Sequence, residues 1–167
     1  MKKLLLLLSF YGSSIALNAQ SLTKEEQKIV DQTEKNFPQM MELLKNSVNI
    51  NSGTFNIGGV KQVGELYAAE LRKLGFTIEW INLPDSLKRA GHLVAYRKGK
   101  KGKKLFLIGH LDTVFEPDMP ANPFTRLNDT SITGQGINDM KGGDVIIISA
   151  MKALDELNLL NDASITI

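Results

Sequence analysis

Apolar positions along the chain change period several times, and each change marks an element. Thr23 with Glu26 makes a capping-box signal that opens a helix reaching about Asn36. Pro38 interrupts it, so "QMMELLKNSVNI" is expected to form a second helix entering a strand or turn. "NSGTFNIGG", Asn51 to Gly59, is turn-rich loop. In "VKQVGELYAAELRKLG", Val60, Val63, Tyr67, Leu71 and Leu74 share one helical face, and Gly75 is the stop. "FTIEWI" alternates like a half-buried strand. Two further strand-like segments, "HLVAY" and "LFLIGH", flank "RKGKKGKK" and read as a hairpin.

The stretch from Thr113 to Asp129, with Pro117, Pro120 and Pro123, is irregular. "SITGQGIND" leads into "MKGGDVIIISAMKALDEL", a long helix with an apolar middle, and "ASITI" is a short strand at the end. Helices alternating with strands predict an α/β fold, a layered sheet with flanking helices and a largely parallel interior. A sheet whose last strand is the chain's last segment is expected to leave an unpaired edge.

The first nineteen residues stand apart. Lys2 and Lys3 precede an apolar run, Leu4 to Phe10, that is too short to span a bilayer, and small and polar residues follow up to Ala19. This is the pattern of a secretory signal peptide, residues 1–19, cut before Gln20. Residues 20–167 then form one domain, a periplasmic or secreted protein without a stable membrane anchor. The signal segment holds two of the 20 basic residues and none of the 18 acidic ones, so the remainder is neutral. Neutrality offers no argument for a nucleic-acid partner. "RKGKKGKK", six cations in eight residues, is read as a solvated loop rather than a phosphate site. Without cysteine, a disulfide framework, a lipid anchor and a thiol nucleophile are all excluded.

Candidate chemistry gathers in two places. In "LFLIGHLDTVF", His110 and Asp112 are two apart where a buried strand reaches the surface, and in a strand such residues share a face. A metal-bound histidine needs its second ring nitrogen held by a carboxylate or carbonyl, and Asp112 is placed to do that. An isolated His-x-Asp is nevertheless more often a hydrogen-bonded structural histidine. In "GQGINDMKGGD", Asp139 stands before a helix, where an aspartate is commonly an N-cap; a carboxylate at such a turn can also bridge two cations. The stretch fails as a nucleotide fingerprint because Asp139 takes the place of the third glycine. Asp112 and Asp139 are 27 positions apart, and both motifs fall at strand ends, where sites of α/β sheets collect. His92, which opens a strand, is read as structural and remote from the site. Glu116 and Asp118 are read as solvated loop acids.

Together these motifs resemble the co-catalytic zinc peptidase family of glutamate carboxypeptidase, acetylornithine deacetylase and succinyl-diaminopimelate desuccinylase, the secreted glutamate carboxypeptidase branch above all. "VNINSGTFN", "LRKLGF", "HLVAYRKGKKGKKLFLIGHLDTVF", "NPF" and "GQGINDMKGG" occur in the family's order. The resemblance implies a phosphorylase/hydrolase-like catalytic domain with two zinc ions per complete site. It implies that His110 binds one zinc, that Asp112 orients His110 as part of the catalytic apparatus, and that Asp139 bridges both metals with a cis peptide to Met140. It further implies hydrolysis of a peptide or N-acyl amino acid by a metal-activated water, with a homodimer in the complete protein. The family's Glu-Glu pair, later metal ligands and inserted domain have no counterpart here. The chain is therefore expected to be a truncated, amino-terminal portion, inactive alone. A deacylase or dipeptidase is the alternative within the family; a non-catalytic remnant or binding module is the alternative outside it.

Overall fold

The computed structural model describes residues 21–167. The expected signal peptide lies outside the described residues. Three helices, α1 (Lys24–Val48), α2 (Ile57–Lys73) and α3 (Gly142–Glu156), accompany six strands: β1 (Thr77–Ile81), β2 (His92–Arg97), β3 (Lys101–Phe106), β4 (Thr125–Arg126), β5 (Ile132–Thr133) and β6 (Ala163–Thr166). Among the described residues no helix is long and apolar enough to cross a membrane.

The capping box opens α1 as expected, with the Glu26 amide donating to Thr23 Oγ1 and the Thr23 amide to Glu26 Oε2. The helix does not break at Pro38; it is one element of 25 residues. Proline removes one amide donor and crowds the carbonyl four residues earlier. Here Glu34 and Pro38 are both exposed, so water satisfies the freed carbonyl. On the opposite side, Gln32 Nε2 and Asn36 Nδ2 both donate to Glu156 Oε2 of α3, at 2.7 and 2.6 Å. Tertiary packing thus overrides the helix-breaking signal.

The main sheet has four strands in the order β1-β2-β6-β3. β2 is antiparallel to both β1 and β6, and β3 is parallel to β6. The interior is mixed rather than largely parallel. The expected hairpin is also corrected, since β6 lies between β2 and β3 and those two strands do not pair. The final strand is therefore interior, and the open edge belongs to β3, every residue of which is exposed. Arg97 leaves the basic run altogether: its Nη1 donates to Leu74 O and Asp155 Oδ1, tying β2 to the ends of α2 and α3. The core joins Leu44 and Val48 of α1, Val63, Tyr67 and Leu71 of α2, and Val145, Ile148 and Met151 of α3 to Phe76, Ala95 and Ile165 of the sheet side. This is the 3.6-residue spacing of α2 turned into a buried stripe.

Lys141, in the turn before α3, is fully buried at 0% exposure. Its Nζ donates to Ser47 O at 2.9 Å and Ile50 O at 2.8 Å, where α1 ends. Burial pulls this ammonium down to about 8, while the carbonyl-rich end of α1 favours a cation. Replacing it by methionine (Lys141→Met) takes the ammonium donor from the half-buried Ile50 carbonyl and from the buried Ser47 carbonyl, which keeps the Ile50 amide. The variant is expected to lose roughly 1–3 kcal/mol of stability in urea unfolding; an unchanged midpoint would show that the tie carries no weight.

Candidate metal centre

β3 ends at Phe106, and the backbone continues without regular pairing through Gly109 to Thr113. His110 and Asp112 thus stand beyond the strand, at its carboxyl end. A second segment fixes them there. Gly53 and Thr113 form an isolated parallel bridge, with the Thr113 amide donating to Ser52 O and the Thr54 amide to Thr113 O. Thr54 Oγ1 donates to Asp112 Oδ2 at 2.6 Å. Asn51 Nδ2 donates to Phe115 O and to Gln135 Oε1, and Gln135 Nε2 to Val48 O. The loop "NSGTFN" therefore laces together the two candidate motifs and the end of α1.

The wide turn Ile137–Lys141 presents Asp139. Asp139 has φ −134° and ψ 94°, and its peptide bond to Met140 is cis, as the resemblance implies. It does not cap α3, whose N-cap is Lys141, a residue that makes no side-chain capping bond. Its carboxylate turns instead to His110.

His110 Nδ1 lies 3.0 Å from Asp112 O and 3.4 Å from Asp112 Oδ1; Nε2 lies 2.9 Å from Asp139 Oδ1. A carbonyl only accepts, so Nδ1 carries a proton and Nε2 is the nitrogen directed at Asp139. Partial burial pulls the imidazole pKa down, but the bonds to Asp139 and to the Asp112 carbonyl, with both aspartate charges, raise it above the ordinary histidine value. Two ligands of one tetrahedral zinc, each about 2.0–2.2 Å from the metal, stand roughly 3.3 Å apart. The donors found here need to separate only slightly to admit a zinc ion. Asp139 is 82% exposed on its side chain and has no other hydrogen-bond partner among the described residues, which leaves its second oxygen open. The pair fits part of a metal site. Among the described residues, no group of three or more His, Cys, Asp or Glu is disposed to hold a metal.

The remaining candidates fall differently. His92 opens β2 as expected and is exposed. β2 runs against β6 while β3 runs with it, so the start of β2 meets the end of β3. Glu116 accepts from the Phe55 amide and thus holds the loop. Asp118 is exposed and makes no ion pair among the described residues.

Two residues escaped the sequence reading. Thr54 was legible only as part of a turn-rich stretch, because its partner is 58 positions away. Asp144, in the first turn of α3, is 7% exposed, and its Oδ2 has no hydrogen-bond partner among the described residues. Its Oδ1 would lie 2.0 Å from a Cβ at position 109, so only glycine allows the carboxyl to pack under the backbone beside His110. The one available signal was an acid opening an otherwise apolar run.

Burial raises Asp144 from 3.8 to about 7, with the nearby His110 charge opposing. Between those values the folded chain keeps a proton that the unfolded chain has released, so this group's contribution to stability falls as pH rises. In metal-free protein, Asp144→Asn should gain stability over the parent as pH increases from about 4 to 7. Thermal unfolding at pH 5 and pH 8 checks this; an equal difference at both would contradict it.

No family model matches the chain. It is 33% identical over 130 residues to carboxypeptidase G2 of Pseudomonas sp. (strain RS-16), an alignment covering 78% of this chain and 31% of the relative. Acetylornithine deacetylase of Photorhabdus laumondii is 37% identical over 93 residues, covering 54% of this chain and 24% of the relative. The chain thus spans a third or less of these relatives' length. Human carnosine dipeptidase 1 superposes with a TM-score of 0.70 at 20% identity, over 84% of this chain and 33% of that one. The Saccharomyces cerevisiae dipeptidase Dug1p gives 0.68 at 15% identity, over 84% and 33%. The two motifs meet in space, the likeness to carboxypeptidase G2 covers 78% of the chain, and the fold is shared with the dipeptidases: the chain belongs to the hydrolase family of carboxypeptidase G2, acetylornithine deacetylase and succinyl-diaminopimelate desuccinylase.

Proposed function

We propose that this chain is the metal-donor portion of a zinc-dependent peptidase that cleaves an amide bond next to a carboxyl-terminal residue. One observation carries the reading: His110 Nε2 and Asp139 Oδ1 meet at 2.9 Å from separate motifs, while Asp112 holds the other ring nitrogen. The likeness to carboxypeptidase G2 supports the carboxypeptidase form, and that to acetylornithine deacetylase supports a deacylase acting on an N-acyl amino acid.

In this reading His110, through Nε2, and Asp139, through its carboxylate, would be among the residues that hold the zinc ions. Asp112 keeps the imidazole in the tautomer that leaves Nε2 free, and Thr54 keeps Asp112 in place. A bound zinc pair supplies Lewis acidity at the scissile carbonyl and at the attacking water. A catalytic zinc has three protein ligands, so further donors and the acceptor of the water's proton come from outside these residues. The substrate is a peptide or N-acyl amino acid, and the complete enzyme is a homodimer. The basic start, the short apolar run and Ala19 support export to the periplasm or medium; protein recovered there should begin near Gln20 on amino-terminal sequencing, and an intact Met1 would refute cleavage.

The 167-residue chain should retain well under two zinc equivalents after dialysis and release no carboxyl-terminal glutamate from peptides. A protein carrying this chain with the further length of its relatives should do both. In that protein, His110→Ala and Asp139→Ala are expected to lower kcat/KM by roughly 100-fold or more and to reduce bound zinc. Full turnover by both variants would sink the reading.

A further inference from the structure

Lys141 lies where the two segments of the candidate metal centre meet. Among the described residues it is the largest side chain that is wholly buried. Its Nζ donates to Ser47 O and Ile50 O, and its own amide donates to Gly136 O at 2.9 Å. One residue therefore fixes the turn that presents Asp139 twice. The backbone ties position 141 to position 136, and the side chain ties it to the end of α1.

The other donor segment touches the same turn. A Cβ on Gly136 would stand 2.4 Å from Thr113 Cγ2 and 3.5 Å from Lys141 Cδ, so this glycine is wedged between the residue after Asp112 and the lysine stem. Its φ of +73° is one that glycine adopts without the cost borne by other residues. Thr113 pairs in turn with the loop after α1, through Ser52 O and the Thr54 amide. Ser52 stands two positions after Ile50, whose carbonyl Lys141 holds. A closed circuit results, from Lys141 to Ile50, along the loop to Thr113, across to Gly136 and back to Lys141. Ser52, Thr113, Gly136 and Lys141 are all buried, so these residues set its geometry among themselves. His110 and Asp139 meet at 2.9 Å from opposite sides of it.

We propose that Lys141 is a positioning residue of the metal centre. Its ammonium keeps the turn of Asp139 in register with the segment of His110 and Asp112, and metal affinity depends on it although its own donors are spent on Ser47 and Ile50. The proposal rests on the hydrolase reading above for the ion, and on the circuit for the coupling. Donors of one site need to be held within about 0.5 Å of their working geometry by groups that are themselves locked. A lysine suits the task, because one compact ammonium on a long stem can serve two carbonyls at once.

Zinc binding, rather than turnover, tests it. The 167-residue chain is titrated with zinc chloride while NMR follows the rings of its two histidines. His110 reports the candidate site, and exposed His92 reports adventitious zinc. In metal-free protein, hydrogen exchange is followed at the Thr113 and Thr54 amides. The comparison variant is whichever of Val63→Ala and Met151→Ala lies closer to Lys141→Met in urea midpoint, since both thin the core outside the circuit. Lys141→Met is expected to weaken zinc binding at His110 roughly tenfold or more and to speed exchange at both amides. The core variant should keep the parent's zinc affinity and speed those amides no more than its lower global stability requires. Gly136→Ala drives a methyl into Thr113 from the other side of the circuit; it should act like Lys141→Met and decides the question if that variant does not fold. Equal zinc affinity in Lys141→Met and the core variant overturns the proposal and leaves the hydrolase reading standing. Zinc that shifts His92 alone, both in this chain and in a protein of its relatives' full length, removes the metal reading and the proposal with it.

Discussion

The buried ammonium of Lys141 is the contact on which the rest of this structure hangs. A lysine taken wholly out of water is tolerated only when its donors are satisfied, and here Ser47 O and Ile50 O satisfy it. Those carbonyls end α1 and begin the loop that carries Asn51 and Thr54. Lys141 itself follows Asp139 by two positions and precedes α3 directly. One group therefore sets the distance between the loop that holds Asp112 and the turn that holds Asp139. The Tyr67 hydroxyl, donating to Lys141 O from α2, adds the third helix to the same knot.

From that knot the placement of the candidate metal donors follows as geometry. Neither motif is a site alone: His110 and Asp112 leave a strand end, and Asp139 leaves a turn. What makes them one feature is that the loop at 51–56 is stitched to both, through the Thr113 bridge on one side and Gln135 on the other. The result is a pair of donors whose outer faces are exposed while their backbones are held. A half-buried imidazole with one nitrogen occupied and one directed outward is what metal ligation requires.

The sheet accounts for where the site is. β6 enters between β2 and β3 and brings the start of β2 level with the end of β3. His92 and His110 gather at one end of the sheet for that reason. Leu105 and Phe106, at the end of β3, and Ile108 just beyond it are exposed at 50, 69 and 72%. An unpaired edge with such residues is a surface on which further strand pairing is favourable.

Much was legible in the sequence because it rests on local chemistry. The capping box at Thr23, the stripe of α2 and its glycine stop come from spacing that a short window contains, whereas the roles given to His110, Asp112 and Asp139 come from the resemblance. The resemblance to the peptidase family was readable for the same reason, since its motifs are contiguous. Tertiary structure decided everything that depends on distant partners. Pro38 stayed helical because its freed carbonyl faces water and Asn36 grips α3. The apparent hairpin opened because β6, more than fifty positions later, gives both strands a better-placed partner. Asp139 faces His110, at 2.9 Å, rather than capping α3. Thr54 and Asp144 gained their places only in the folded chain. Sequence records which groups are present and how they repeat, but burial and hydrogen bonding across long separations exist only once the core has closed.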